Sequence, residues 1–114
     1  PIVVNLSTTA AIEEIAKEYG VNVIRSAVGE INVVDKMNEI GSNLGGEGNG
    51  GVILRESHLG RDSLVAVTMV LNRMSRSESS LSSIYNTLPQ YKIVKYKICN
   101  YSNLWNISAN LFSF

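Results

Sequence analysis

Ile2-Val3-Val4-Asn5-Leu6, a helical stretch, and Val21-Asn22-Val23-Ile24-Arg25 follow one another at the start of the chain, and that succession narrows the fold more than any other feature. The two short β-branched runs read as buried strands. Between them Ile12, Ile15, Ala16 and Tyr19 recur at i, i+3, i+4 and i+7, the spacing of a helix with one face on a sheet. Ser7, Thr8 and Thr9 are suited to cap its first turn, where Glu13 and Glu14 meet the positive end of the helix dipole. Gly20 fits the left-handed residue that ends a helix. A strand, a helix and a strand at this spacing predict parallel strands joined by a right-handed crossover, and so an α/β domain.

The alternation continues. Ser26-Ala27-Val28-Gly29 is a turn into a second helix over about residues 30–40, with Val33, Val34, Met37 and Ile40 inward and Gly41 closing it. Asn43 and Leu44 lead a short strand into a glycine-rich stretch, and Val52-Ile53-Leu54 leaves it, so this last strand should run antiparallel to its partner. Asp62 opens a third helix to about Ser75, with Leu64, Val65, Val67, Met69, Val70 and Leu71 apolar nearly all round. Such a helix is buried on several sides, or lies with one side on the sheet and another against something missing; a strand competes, but the length favours helix. Residues 76–83 read as a linker and N-cap, and a fourth helix carries Leu81, Ile84, Tyr85 and Leu88 as far as Pro89. Residues 91–98 are strand-like, with lysines interleaved as on a sheet edge. From Ile98 to Phe114 no residue is charged, and Leu104, Ile107 and Leu111 fit one helical face.

The chain's 114 residues make one domain, and a hydrophobic content of 45% allows a real core. Ten basic residues balance ten acidic ones, so charge favours neither nucleic acid nor an anionic membrane as a partner. No stretch of about twenty apolar residues occurs to span a bilayer. No signal-peptide pattern opens the sequence, and Cys99 is the sole cysteine, so the expected location is the cytoplasm.

Gly45-Gly46-Glu47-Gly48-Asn49-Gly50-Gly51 is the stretch with the clearest chemistry. Five of its seven residues are glycine, which lets the backbone turn tightly and approach a ligand. Glu47 offers acceptors, and Asn49 an acceptor and two donors, a pair suited to neighbouring hydroxyls on a sugar ring. The plainer reading is a glycine-rich hairpin with two polar passengers. Gly46 to Gly51 formally fits the dinucleotide fingerprint, but that motif opens a helix after the first strand, and here a strand follows. One histidine and one cysteine make no zinc site of usual spacing. His58 lies in a polar connection without a nucleophile elbow, so it reads as an exposed loop residue. Ser7, the turn Val28-Gly29-Glu30 and the entry to the glycine loop all lie just beyond the C-terminal ends of predicted strands, the edge where open α/β sheets bind ligands.

Arg25-Ser26-Ala27-Val28-Gly29-Glu30, then Met37, then Gly45 to Ile53, then Gly60-Arg61-Asp62 resemble, in order and spacing, the third domain of the α-D-phosphohexomutases. Phosphomannomutase and phosphoglucomutase are of this family, and the likeness runs over about residues 2–98. It implies a three-layer α/β/α domain at 1–98 with a four-stranded mixed sheet in the order 2-1-3-4, the last strand antiparallel, followed by a divergent tail at 99–114. It also implies a sugar-recognition loop of the form Gly-Glu-x-Ser/Asn-Gly-His/Gly. On that motif Glu47 and Asn49 hydrogen-bond adjacent hydroxyls of a hexose phosphate, Gly46, Gly48 and Gly50 shape the loop, and Val28, Gly29 and Glu30 form a second substrate-side turn. Asn49 replaces the commoner serine, Gly51 stands where many members have histidine, and Leu6 or Ser7 falls where some have a lysine.

The resemblance also implies what this sequence lacks. Family members use a phosphoserine on the first domain, magnesium in an Asp-Gly-Asp-x-Asp-Arg loop on the second and a phosphate clamp on the fourth. None of these motifs is present, so no catalytic residue, metal ligand or cofactor is expected in this chain, which should be inactive by itself. Expected partners are a hexose phosphate held weakly, other phosphohexomutase domains, or a second copy met through the tail. The competing reading is a non-enzymatic relict or interaction domain. The tail is then either a drifted end or a cover for apolar surface, for which Leu104, Trp105, Leu111 and Phe112 have the composition.

Overall fold

In a computed structural model of the chain, which describes residues 1–98 and 107–113, the opening β-branched run is paired on both sides. The elements in order are β1 (Ile2–Asn5), α1 (Ala11–Glu18), β2 (Val23–Ser26), α2 (Glu30–Ile40), β3 (Leu44–Gly46), β4 (Val52–Leu54), α3 (Ser63–Ser77), α4 (Leu81–Asn86), β5 (Lys92–Ile98) and β6 (Ile107–Ser113). The main sheet has the order β2-β1-β3-β4. β1 is parallel to β2 and β3, and β3 and β4 are antiparallel. This is the mixed α/β architecture that the alternation and the resemblance both lead one to expect.

Register decides which residues face which helix, because side chains alternate across a strand. Val3 pairs with Ile24 and Gly45, and Gly45 with Ile53, so these four form one row across the sheet. Val3 and Ile53 pack with Val33 and Met37 of α2 into a fully buried core, flanked by Val34 and Ile40. Gly45 is required here for packing, since an added Cβ would run into Met37 Sδ and lie 3.1 Å from Val33 Cγ1. The alternate residues Ile2, Val4, Leu44 and Val52 face the opposite layer. There Ile12 of α1 and Ala66, Met69 and Val70 of α3 border a groove of about 450 Å³.

Helix ends follow local chemistry, with some departures from expectation. α1 has no side-chain cap at Ala10; Thr9 Oγ1 accepts from the Ala11 N–H at 3.3 Å, while Ser7 and Thr8 turn toward Asn5. Tyr19, placed inward by helical spacing, is 68% exposed, because α1 ends at Glu18 and the chain turns away through Gly20 at φ +64°. β2 begins at Val23 rather than Val21, whose N–H is used to close α1 on the Ala16 carbonyl at 2.8 Å. α2 ends at Gly41 in the left-handed conformation, and Arg55 donates to the Ser42 and Met37 carbonyls, both at 2.8 Å.

α3 is helix, capped by Asp62, whose Oδ1 accepts from the N–H groups of Leu64 at 2.7 Å and Val65 at 3.2 Å. It runs to Ser77, two residues into the expected linker, and none of its residues is buried. Its inner side meets the sheet, while Leu64 (75% exposed), Val67 and Leu71 face outward. β5 does not border the main sheet; it pairs along its length with β6 as a separate antiparallel ribbon. The expected helical face in the tail is therefore corrected for Ile107 and Leu111, which lie in a strand. Antiparallel pairing with Lys92–Ile98 gives the two strands hydrogen bonds along their shared edge, whereas a helix this short is marginal by itself because its nucleation is costly. Leu104 and Trp105 fall outside the described residues.

Candidate functional site

Three connections meet at the edge where β1, β2 and β3 end: residues 6–10, 27–29 and the loop 47–51 between β3 and β4. The loop closes on itself through Glu47 N–H to Gly51 O at 2.9 Å and Gly50 N–H to Glu47 O at 3.1 Å. Gly50 sits at φ +91°, a value that favours glycine. Asn49 Oδ1 accepts from the Gly51 N–H at 3.1 Å, an Asx turn that leaves its Nδ2 group as donor. Gly48 lies so close to the β1–α1 turn that an added Cβ would be 2.7 Å from the Ser7 carbonyl oxygen.

Glu47 is 9% exposed, and both of its oxygens are held. Oε1 accepts from Asn5 Nδ2 at 2.9 Å, and Oε2 lies 3.1 Å from an Arg61 guanidinium nitrogen. A charged group this enclosed needs such partners to offset its desolvation. Asn5 is itself only 2% exposed, and its Oδ1 accepts from Ser7 N–H (3.1 Å), Ser7 Oγ (2.8 Å) and Thr8 Oγ1 (2.9 Å). It thus joins the first loop to the glycine loop through one amide. Arg25 buttresses the same turn, donating to the carbonyls of Asn5 and Thr8 and pairing with Glu13 at 2.7 Å.

Arg61 reaches Glu47 across Gly51, where an added Cβ would strike its aliphatic stem. Its other partner is Glu30: Arg61 N–H donates to Oε1 and Nε to Oε2, both at 2.9 Å. These hydrogen bonds, the backbone one foremost, hold the Glu30 carboxyl below its ordinary value. Nearby, His58 Nε2 lies 3.1 Å from Asp62 Oδ2, and this contact, followed by the capped N–H groups of α3, lowers the Asp62 carboxyl. The exposed His58 that the sequence suggests is thus an α3 N-terminal partner.

Of the residues singled out from sequence, Glu47, Asn49, Gly46, Gly48 and Gly50 lie together in the hairpin. Glu30 is brought to the same place by Arg61. Gly29, at φ +120°, is the N-cap of α2, and Val28 is exposed with its carbonyl accepting from Asn32 Nδ2 at 2.9 Å. Asn5 and Arg61 are the residues sequence reasoning missed as site members. The available signals were a polar residue closing an otherwise apolar central strand and an arginine between Gly60 and the capping Asp62. Among the described residues no three His, Cys, Asp or Glu side chains gather as a metal site, and no helix is long and apolar enough to cross a membrane.

A family profile described as phosphoglucomutase/phosphomannomutase, alpha/beta/alpha domain III, matches residues 1–91. The chain belongs to this family. It is 32% identical over 96 residues to a phosphoglucomutase/phosphomannomutase of Thermococcus kodakarensis, covering 84% of this chain and 21% of that protein. It is 33% identical over 103 residues to a phosphoglucosamine mutase of Methanococcus maripaludis, covering 90% and 23%. A phosphoglucosamine mutase of Paraburkholderia phytofirmans is 34% identical over 95 residues, covering 82% and 21%. The chain therefore spans about a fifth of the length of the curated relatives it matches.

Proposed function

We propose that this chain is the sugar-recognition domain of a phosphohexomutase and contacts the hydroxyls of a hexose phosphate through Glu47 and Asn49. The observation that carries the reading is the fixed carboxylate of Glu47 beside Asn49 at the C-terminal edge of the sheet. Each held oxygen keeps a lone pair for a hydroxyl, and Asn49 Nδ2 supplies a donor. Gly46, Gly48 and Gly50 let the sugar approach the backbone, and Val28, Gly29 and Glu30 border the same edge. The partner is a hexose phosphate, in the cytoplasm. No metal or cofactor is assigned to these residues, because the Asp-rich magnesium loop is not in the sequence.

By itself the chain orients a sugar and transfers no phosphoryl group. Phosphoryl transfer depends on positioned nucleophile and charge stabilisation, for which it carries no motif. Binding is weak: two hydroxyl contacts of about 1 kcal/mol net each scarcely exceed the cost of immobilising a ligand. The test is a titration of the isotope-labelled chain with glucose, mannose and glucosamine phosphates. Amide shifts gathered at residues 46–51 support the reading; silence at millimolar ligand contradicts it. Turnover by the purified chain alone contradicts the inactive assignment.

A second reading, an interaction or self-association domain derived from the family, draws on the outward apolar face of α3. Sedimentation of the chain, of its Leu64→Glu and Leu71→Glu variants and of the chain without residues 99–114 separates the two, since only the second reading requires association through the α3 face or the tail.

A further inference from the structure

Resting on the assignment of Glu47 to sugar hydroxyls, we infer that Asn5 and Arg61 are positioning residues for that carboxylate, and that Glu30 acts on it through Arg61. Glu47 is gripped from two sides. Asn5 Nδ2 holds Oε1 at 2.9 Å from β1, and Arg61 approaches Oε2 to 3.1 Å from the segment before α3. Two donors on opposite oxygens fix the plane of a carboxylate, and so the direction in which its remaining lone pairs meet a hydroxyl. Asn5 cannot turn away, because its own oxygen is held by three donors from Ser7 and Thr8.

Arg61 is fixed in the same manner. Glu30 accepts from both its backbone N–H and its Nε, so the guanidinium is pinned at its root before it reaches Glu47. Each oxygen of Glu30 thus takes one bond from Arg61, which ties that carboxyl to the arginine. Gly51 completes the arrangement, because any side chain there would take the space of the Arg61 stem. Glycine at this position is thus the condition for Arg61 to reach the carboxylate. An arginine fork suits a bridge between two carboxylates, whereas a lysine offers a point charge to one of them at a time.

The experiment follows two signals in the 114-residue chain: the Asn5 side-chain amide resonance without ligand, and the affinity ratio between a hexose phosphate and its deoxy analogue lacking the contacted hydroxyl. Glu30→Gln, Arg61→Gln, Arg61→Lys and Gly51→Ala are compared with the parent chain at matched stability. Arg61→Gln and Gly51→Ala are expected to shift the Asn5 amide signal and to weaken hexose phosphate binding about fivefold. The deoxy analogue is expected to bind as before, so the ratio collapses; Glu30→Gln does the same in part, and Arg61→Lys is intermediate. A general loss of structure would weaken both ligands alike. Unchanged Asn5 resonance and an unchanged ratio in Arg61→Gln would overturn the inference. If the parent chain binds no hexose phosphate, the sugar assignment fails, while an unmoved Asn5 resonance in Arg61→Gln separately refutes the coupling of Arg61 to the Asn5–Glu47 pair.

Discussion

Replacing Asn5 by alanine removes the one side chain that joins the β1–α1 turn to the glycine loop. Four hydrogen bonds go with it: three into Oδ1 and one from Nδ2 to Glu47. The hydroxyls of Ser7 and Thr8 are half-buried and can turn to water, so their loss is partly recovered. The Glu47 carboxylate is enclosed and recovers less. At about 1 kcal/mol net per bond, and more for the charged acceptor, the expected cost is about 2–4 kcal/mol. That is a large share of the stability of a small domain, about 5–15 kcal/mol. Asn5→Asp sharpens the test. It keeps the acceptors for Ser7 and Thr8 but places a second carboxyl against Glu47, so it should be destabilised at neutral pH and recover on mild acidification as the pair takes up a proton. Urea denaturation of the parent and both variants measures this, with the midpoint falling and the slope unchanged. An Asn5→Ala cost below about 0.5 kcal/mol, the range of an ordinary surface change, would refute the reasoning. So would an Asn5→Asp chain as stable as the parent at pH 7.

Gly45→Ala should overpack the core against Met37 Sδ and cost about 1–3 kcal/mol, read by thermal melting; an unshifted midpoint would mean that the sheet and α2 are not in close contact there. Acid should weaken the fold through Glu30 and Asp62. Both carboxyls are lowered in the folded chain, so their contribution is complete above the ordinary values of 4.5 and 3.8 and is lost as pH falls through the lowered ones. Denaturant melts from pH 7 to pH 3 should therefore be less pH-dependent in Glu30→Gln with Asp62→Asn than in the parent. Leu64→Glu and Leu71→Glu should leave the melting midpoint nearly unchanged, since both side chains are exposed, and light scattering will then report whether the outer face of α3 carries any self-association.

The fold was legible where the sequence had a period. The alternation of β-branched runs with amphipathic stretches is enough for a parallel pair, and Val33 and Met37 fall on the core side of α2 as their spacing requires. Tyr19 failed because spacing continues on paper past the point where the C-cap ends the helix. α3 was hard to place because apolar residues on all sides say that surfaces are needed and not which are supplied. The pairing of β5 with β6 was not legible, because Ile107 and Leu111 also fit a helical spacing and the eight residues between the strands contain no glycine or proline to mark a turn. The glycine loop announced itself by composition. Its supports did not: Asn5 reads as one more strand residue, and Arg61 as one more loop cation, until the fold brings them 2.9 and 3.1 Å from Glu47.

The central claim is that Glu47 receives sugar hydroxyls, and the most direct measurement is a hexose phosphate titration of the chain beside its Glu47→Gln variant, followed by amide shifts at residues 46–51. The amide variant keeps the shape and removes the charged acceptor. The account predicts saturable shifts in the parent chain and at least a fivefold weaker response in the variant, compared under conditions in which both are folded. Equal affinities in the two, or shifts centred away from the glycine loop, would contradict it.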